Sequence, residues 1–137
     1  MARNGLRIKG VLISVVALCA LSGSVPDALA RKYTDSAATN VEVGTIALAQ
    51  LPREAVNTLN LIAAGGPYPY EKDGIVFGNR ERLLPPHRRG FYHEYTVPTP
   101  RARNRGARRI VCGGPLRQTD NCFYSDDHYT SFKRIVE

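Results

Sequence analysis

The hydrophobic rhythm of the chain turns helical once. In PREAVNTLNLIAAGG, Ala55, Val56, Leu59, Ile62 and Ala63 recur at helical spacing, Pro52 suits a first turn, and Gly65-Gly66 end the run. No other stretch of the chain reads convincingly as a helix. Ahead of it, VEVGTIAL, Val41 to Leu48, has a short β-like pattern. Behind it, Pro67 and Pro69 stiffen the loop GPYPY. From there the period falls to two. Gly74 to Phe77, Phe91 to Val97, Ala107 to Cys112, Cys122 to Tyr124 and Ser131 to Val136 read as short strands punctuated by Gly and Pro. The elements predict an α+β domain, a single small one, with one N-terminal helix packed on a short-stranded antiparallel β-sheet. One sheet face should lie on the helix and the other should face solvent or ligand.

The first thirty residues follow a different logic. Arg3, Arg7 and Lys9 form a basic start, Val11 to Leu21 an apolar core, and Ala28-Leu29-Ala30 an A-x-A cleavage site. This is the pattern of a secretory signal peptide, and the apolar core is too short for a transmembrane helix. The cleavage site argues against an uncleaved anchor, and Leu18 before Cys19 argues against a lipoprotein. Residues 1–30 are therefore expected to be removed. Residues 31–40 read as a loose, polar N-terminal extension, and 41–137 as the functional domain. The expected product is a secreted monomer with no membrane attachment after cleavage.

Charge narrows the partners. The 137 residues carry 19 Lys and Arg against 12 Asp and Glu. Most of the basic residues beyond Ala30 lie between Arg80 and Arg134, so the charge is polarised and suits a polyanion such as nucleic acid or an acidic membrane surface. Beyond the leader only Cys112 and Cys122 remain. In an exported protein they suggest a disulfide closing the loop GGPLRQTDN. The alternative is a buried thiol at Cys112. Neither cysteine has metal-ligand spacing, and no metal or cofactor is expected.

Strand alternation sorts the candidate chemistry. Tyr92, Glu94 and Thr96 share one face of YHEYTV, while His93, Tyr95 and Val97 share the other. In RRIVC, Ile110 and Cys112 belong with the core, and Arg109 and Val111 point the opposite way. If the two strands are neighbours, Glu94 and Arg109 occupy the same face, and Arg105 in the turn NRG leans over it. A solvated strand acid needs one arginine and contributes ~0–1 kcal/mol. Five arginines follow this acid, at 101, 103, 105, 108 and 109. Such a cluster suits a site that binds an anion bidentately and keeps its base ionised. In DDHYTSF, His128 could donate a proton near neutral pH, although a lone histidine is more often structural. In DGIVFGNRER, the Gly78-Asn79 turn exposes backbone N–H groups just before Glu81. Donors plus one carboxylate complement guanine, on which Phe77 or Tyr129 could stack.

These segments, LPREAVNTLNLIAAGGPYPYEKDGIVFGNRE, YHEYTV, RGARRIVCG and DHYTSF, occur in an order and spacing that resemble the microbial guanyl-specific ribonucleases, the family of barnase and binase, and within it the ribonuclease Sa type. The resemblance spans nearly all of Gly44 to Ile135. It implies metal-free cleavage of RNA 3′ of guanosine through a 2′,3′-cyclic phosphate. It implies Glu94 as general base, His128 as general acid, and Arg105 and Arg109 on the scissile phosphate. Asn79, Arg80 and Glu81 then form the guanine-reading loop, Phe77 and Tyr129 flank the base, and Val76 sits at a contact position. An acidic, barstar-like protein inhibitor is a further partner the resemblance suggests. The chain departs from the pattern at Gly78, where the family has glutamine, and at Ala47, where the family's long-range disulfide begins. Cys122 has no family counterpart. The competing class is a secreted cationic RNA-binding module without turnover.

Overall fold

The helix forms where the apolar spacing puts it. In the computed structural model, which describes residues 41–137, helix α1 runs Arg53–Ala64. The leader and extension expected at residues 1–30 and 31–40 lie outside the described residues. Pro52 opens α1, and its carbonyl accepts the Ala55 and Val56 amides at 2.9 and 3.2 Å. Glu54 in the first turn complements the helix dipole. At the other end Gly65 turns left-handed at φ 81°, and the Gly66 amide reaches back to the Leu61 carbonyl at 2.9 Å. Glycine closes a helix this way because no Cβ opposes the turn. Ala55, Thr58, Leu59 and Ile62 are the buried positions; of the five residues whose spacing predicts the helix, Val56 is half-buried and Ala63 exposed.

Five strands follow the predicted series: β1 (Gly44–Ala47), β2 (Tyr92–Thr96), β3 (Arg109–Gly113), β4 (Cys122–Ser125) and β5 (Lys133–Val136). They form one sheet in the order β1-β5-β4-β3-β2. The β2-β3-β4-β5 run is antiparallel throughout, but β1 pairs with β5 in parallel, so the sheet is mixed. A parallel pair needs a long crossover, and here the rest of the domain supplies it. The stretch Gly74–Phe77 does not become a full strand. Gly74, at φ 84°, and its neighbours make three backbone bonds to β2 but only one bridge, Val76 to His93. That irregular edge carries the loop expected to read a base.

Alternation across the strands yields two apolar clusters. The larger joins Ala55, Leu59 and Ile62 of α1 to Tyr95, Val97, Ile110, Tyr124 and Ile135 on one sheet face. The other face is not left open along its length. Leu84, Tyr92, Val111, Phe123 and Phe132 form a second buried cluster there, roofed by loop residues including Phe77, Leu83 and Phe91. Cys112 and Cys122 stand opposite each other on β3 and β4 and are bonded, so the buried-thiol alternative does not apply. The loop they close carries Arg117, whose Nε and Nη2 donate to the carbonyls of Ala63 and Ala64 at 3.3 and 2.8 Å. Those are carbonyls that a helix end leaves without intrahelical partners.

Candidate active site

Strand β2 delivers Glu94 to the uncovered end of the second face, where it is 9% exposed. Both carboxylate oxygens are held. Arg105 Nη2 donates to Oε1 at 3.0 Å, and the Tyr129 hydroxyl donates to Oε2 at 2.8 Å. Each oxygen keeps a further lone pair, so the group can still accept a proton. Arg105 is aimed by Thr96, whose Oγ1 takes its Nε at 2.7 Å. It also lies 4.0 Å from Asp73, a carboxylate that binds the Thr96 amide at 2.7 Å and the Tyr70 amide at 3.3 Å. Asp73 thus anchors the end of β2 while adding a second negative charge beside the same guanidinium.

Arg109 is more firmly fixed. It is 2% exposed, and Nη1 donates to the carbonyls of Gly106 and Arg108 at 2.9 and 2.8 Å. Its Nε donates to the Tyr129 hydroxyl at 3.0 Å, so Tyr129 accepts from an arginine and donates to the acid. Burial, followed by the hydrogen bond and charge of Glu94, pushes the Tyr129 phenol above its ordinary value, which keeps it a donor. Of the five arginines after Glu94, Arg105 and Arg109 join this network, whereas Arg101 and Arg103 are exposed.

His128 and Tyr129 sit in the β4–β5 turn with φ of 58° and 67°. Two adjacent left-handed non-glycine residues are costly and persist only where neighbours fix them. Asp127 does much of the fixing. Its carboxylate accepts the Ser125 hydroxyl at 2.9 Å, the Ser131 amide at 2.9 Å and the Ser131 hydroxyl at 2.6 Å. Ser125 Oγ in turn accepts the Tyr129 amide at 3.0 Å, and the His128 amide reaches the Ala107 carbonyl at 3.1 Å. The Ser131 hydroxyl is the main reason the Asp127 carboxyl is held below its ordinary range.

Two recesses flank the network. A cleft of about 750 Å³ is lined by Val76, Phe77, Asn79, Arg80 and Glu81, with Glu94 and Tyr129 at the same cleft. An open recess of about 630 Å³ is lined by Arg105, Arg109, His128 and Lys72. Glu94, His128, Arg105, Arg109 and each residue expected to contact the base therefore line one recess or the other. The Asn79 side chain also braces the loop expected to read the base. The residue adopts φ 46°, and its side chain clamps the loop, with Oδ1 accepting the Leu84 amide at 3.1 Å and Nδ2 donating to the Leu84 carbonyl at 2.9 Å. Its amide group shapes the loop. Phe77 stacks on Tyr129 with centroids 5.4 Å apart. Among the described residues no group of three or more His, Cys, Asp or Glu could hold a metal ion. Sequence reasoning missed Asp73, Ser125 and Asp127, with only the run of two acids before His128 hinting at the last; it places Thr96 on the Glu94 face but gives it no part.

Residues 34–136 match the family model for ribonuclease, and the match begins inside the segment read as an extension. The chain is 54% identical over 92 residues to guanyl-specific ribonuclease Sa of Kitasatospora aureofaciens, covering 67% of this chain and 93% of that protein. It is 53% identical over 91 residues to guanyl-specific ribonuclease St of Saccharopolyspora erythraea, covering 66% and 86%. Among solved structures, ribonuclease Sa2 in complex with mononucleotides superposes with a TM-score of 0.65 at 45% identity, covering 70% of this chain and 96% of that one. Ribonuclease Sa2 with guanosine-2′-cyclophosphate superposes with a TM-score of 0.63, over 69% and 97%. The fold, the buried carboxylate–arginine–tyrosine network and these matches lead to one assignment: the chain belongs to the ribonuclease family.

Proposed function

We propose that the protein is a guanine-specific endoribonuclease that cleaves single-stranded RNA 3′ of guanosine, first to a 2′,3′-cyclic phosphate and then to a 3′-phosphate. The observation that carries this reading is Glu94, held at both oxygens between Arg105, which lines the smaller recess, and Tyr129, which lines the larger cleft. Glu94 takes the proton of the guanosine 2′-hydroxyl, and the 2′-oxygen attacks the adjacent phosphorus. Arg105 and Arg109 stabilise the charge that builds on the non-bridging oxygens. Protonated His128, in the recess shared by both arginines, gives its proton to the departing 5′-oxygen. Hydrolysis of the cyclic ester reverses the roles: His128 accepts a proton from water and Glu94 returns one to the 2′-oxygen. Deoxyribose lacks the nucleophile, so DNA binds without reacting.

The guanosine lies in the larger cleft, where the loop amides around Asn79 and Arg80 meet O6 and N7, and Glu81 accepts from N1–H and the 2-amino group. With Gly78 in place of glutamine, backbone donors and Glu81 carry base choice. The cross-strand disulfide supports export to an oxidising compartment. The basic recesses suit an acidic, barstar-like inhibitor competing with RNA, and the enzyme acts as a monomer. The test is end analysis of a mixed-sequence RNA incubated with the protein in excess EDTA. Guanosine 2′,3′-cyclic phosphate ends are expected. Ends distributed equally over four bases would remove the guanine assignment, and binding without cleavage would mark a cationic binding module.

A further inference from the structure

A second stretch of the larger cleft's lining carries charge that the reaction does not use. His87, Arg88 and Arg89 form it, on the loop Pro85–Gly90. All three are exposed, and among the described residues no carboxylate lies within 4.0 Å of either arginine. The loop is braced. The Pro85 carbonyl accepts the Tyr92 hydroxyl at 2.7 Å, the Arg88 carbonyl accepts the Phe91 amide at 3.1 Å, and His87 stacks on Phe91 with centroids 3.7 Å apart. Two unpaired guanidinium groups on a held loop form a better anion site than the same charges on a free tail, because less ordering is lost on binding.

The strand direction follows from the proposed chemistry. His128 protonates the leaving 5′-oxygen, so the nucleotide 3′ of the cut runs into the smaller recess with Lys72. The chain 5′ of the guanosine must leave the other way, over the larger cleft and past Arg88 and Arg89. We propose that Arg88 and Arg89 form a subsite for the phosphate on the guanosine 5′-oxygen, so that the enzyme favours guanosines with RNA upstream over a 5′-terminal guanosine. Arginine forks match phosphate oxygens, and the contact is remote from the bond that breaks. It therefore strengthens ground and transition states alike, and lowers KM without changing kcat.

This inference rests on the guanosine assignment, and the test separates the two. Cleavage of GpC, pGpC and ApGpC is measured at low salt for the wild type, Arg88→Gln/Arg89→Gln and Arg88→Lys/Arg89→Lys. For the wild type, the 5′-phosphate is expected to lower KM roughly three- to tenfold, as two exposed charge pairs would. That advantage should shrink as salt rises. The glutamine variant should lose the advantage while cleaving GpC as the wild type does, and the lysine variant should retain part of it. Equal KM for GpC and pGpC in the wild type would overturn the subsite while leaving the guanosine assignment intact. An equal loss on GpC and pGpC in the glutamine variant would also overturn it. Failure of the wild type to cleave GpC, with cleavage of ApC, would instead overturn the guanosine assignment.

Discussion

Glu94 illustrates how one residue is specified by its neighbours. An acid on a strand face gains little from one exposed arginine, but here burial and two charge-assisted or phenolic donors hold a single orientation. Replacement by glutamine keeps the shape and removes the basicity. Glu94→Gln is expected to lower kcat by at least about a hundredfold, and His128→Gln likewise, with unchanged far-UV circular dichroism. Full activity in His128→Gln would remove that histidine from proton donation. Arg109 resists even a conservative change. Its fork reaches two carbonyls and a phenol at once, and a lysine ammonium cannot reproduce that geometry. Alternation predicts that Glu94 and Arg109 share a face once their strands are neighbours, and β2 does pair with β3. The Tyr129 hydroxyl linking them was not legible, because it arrives from a turn 35 residues beyond Glu94 and no pattern of two or 3.6 encodes that meeting.

At the level of elements, the regular pieces followed from periodicity and the irregular ones did not. Helix α1 and strands β2 to β5 lie close to where spacing predicts them, since the apolar positions recur with the period of each element, even though β3 and β4 are buried on both faces. The parallel register of β1 is set by partner choice, which a short edge strand does not encode. Gly74–Phe77 has the composition of a strand, yet the left-handed Gly74 allows only a single bridge. The β4–β5 turn carries the proposed acid, His128, on a left-handed backbone. Its two left-handed residues are retained by Asp127, which acts through Ser125 and Ser131. Asp127→Ala is expected to lower kcat more than it raises KM, and to lower Tm. Asp127→Asn, keeping part of the bonding, should recover some of both losses. A wild-type pH profile of kcat and Tm in Asp127→Ala would refute this positioning role. The carboxyl is held low in the folded state, so its stabilisation is present above the unfolded value of 3.8 and is lost as pH falls below it.

For the molecule as a whole, stability should fail at the alkaline end in a characteristic way. Burial pushes the phenols of Tyr92 and Tyr95 up to about 12 and raises those of Tyr124 and Tyr129. A raised folded value means that the neutral form stabilises the fold fully below the ordinary value of 10.0, and that this contribution is lost as pH climbs towards 12. Urea midpoints are expected to hold steady up to about pH 9 and then fall, with the tyrosinate absorbance at 295 nm of these four residues rising together with unfolding. Full ionisation of all seven tyrosines while the fold persists would contradict it. Reduction of Cys112–Cys122 releases the closed loop and should cost about 2–3 kcal/mol, read as a lower urea midpoint. The same bond has a consequence for proteolysis. Arg117 lies on an exposed loop between the two cysteines, so a trypsin-like cut after it would leave both halves covalently joined. A nicked molecule would migrate as an intact chain on a gel until a thiol is added, and only then separate into two fragments.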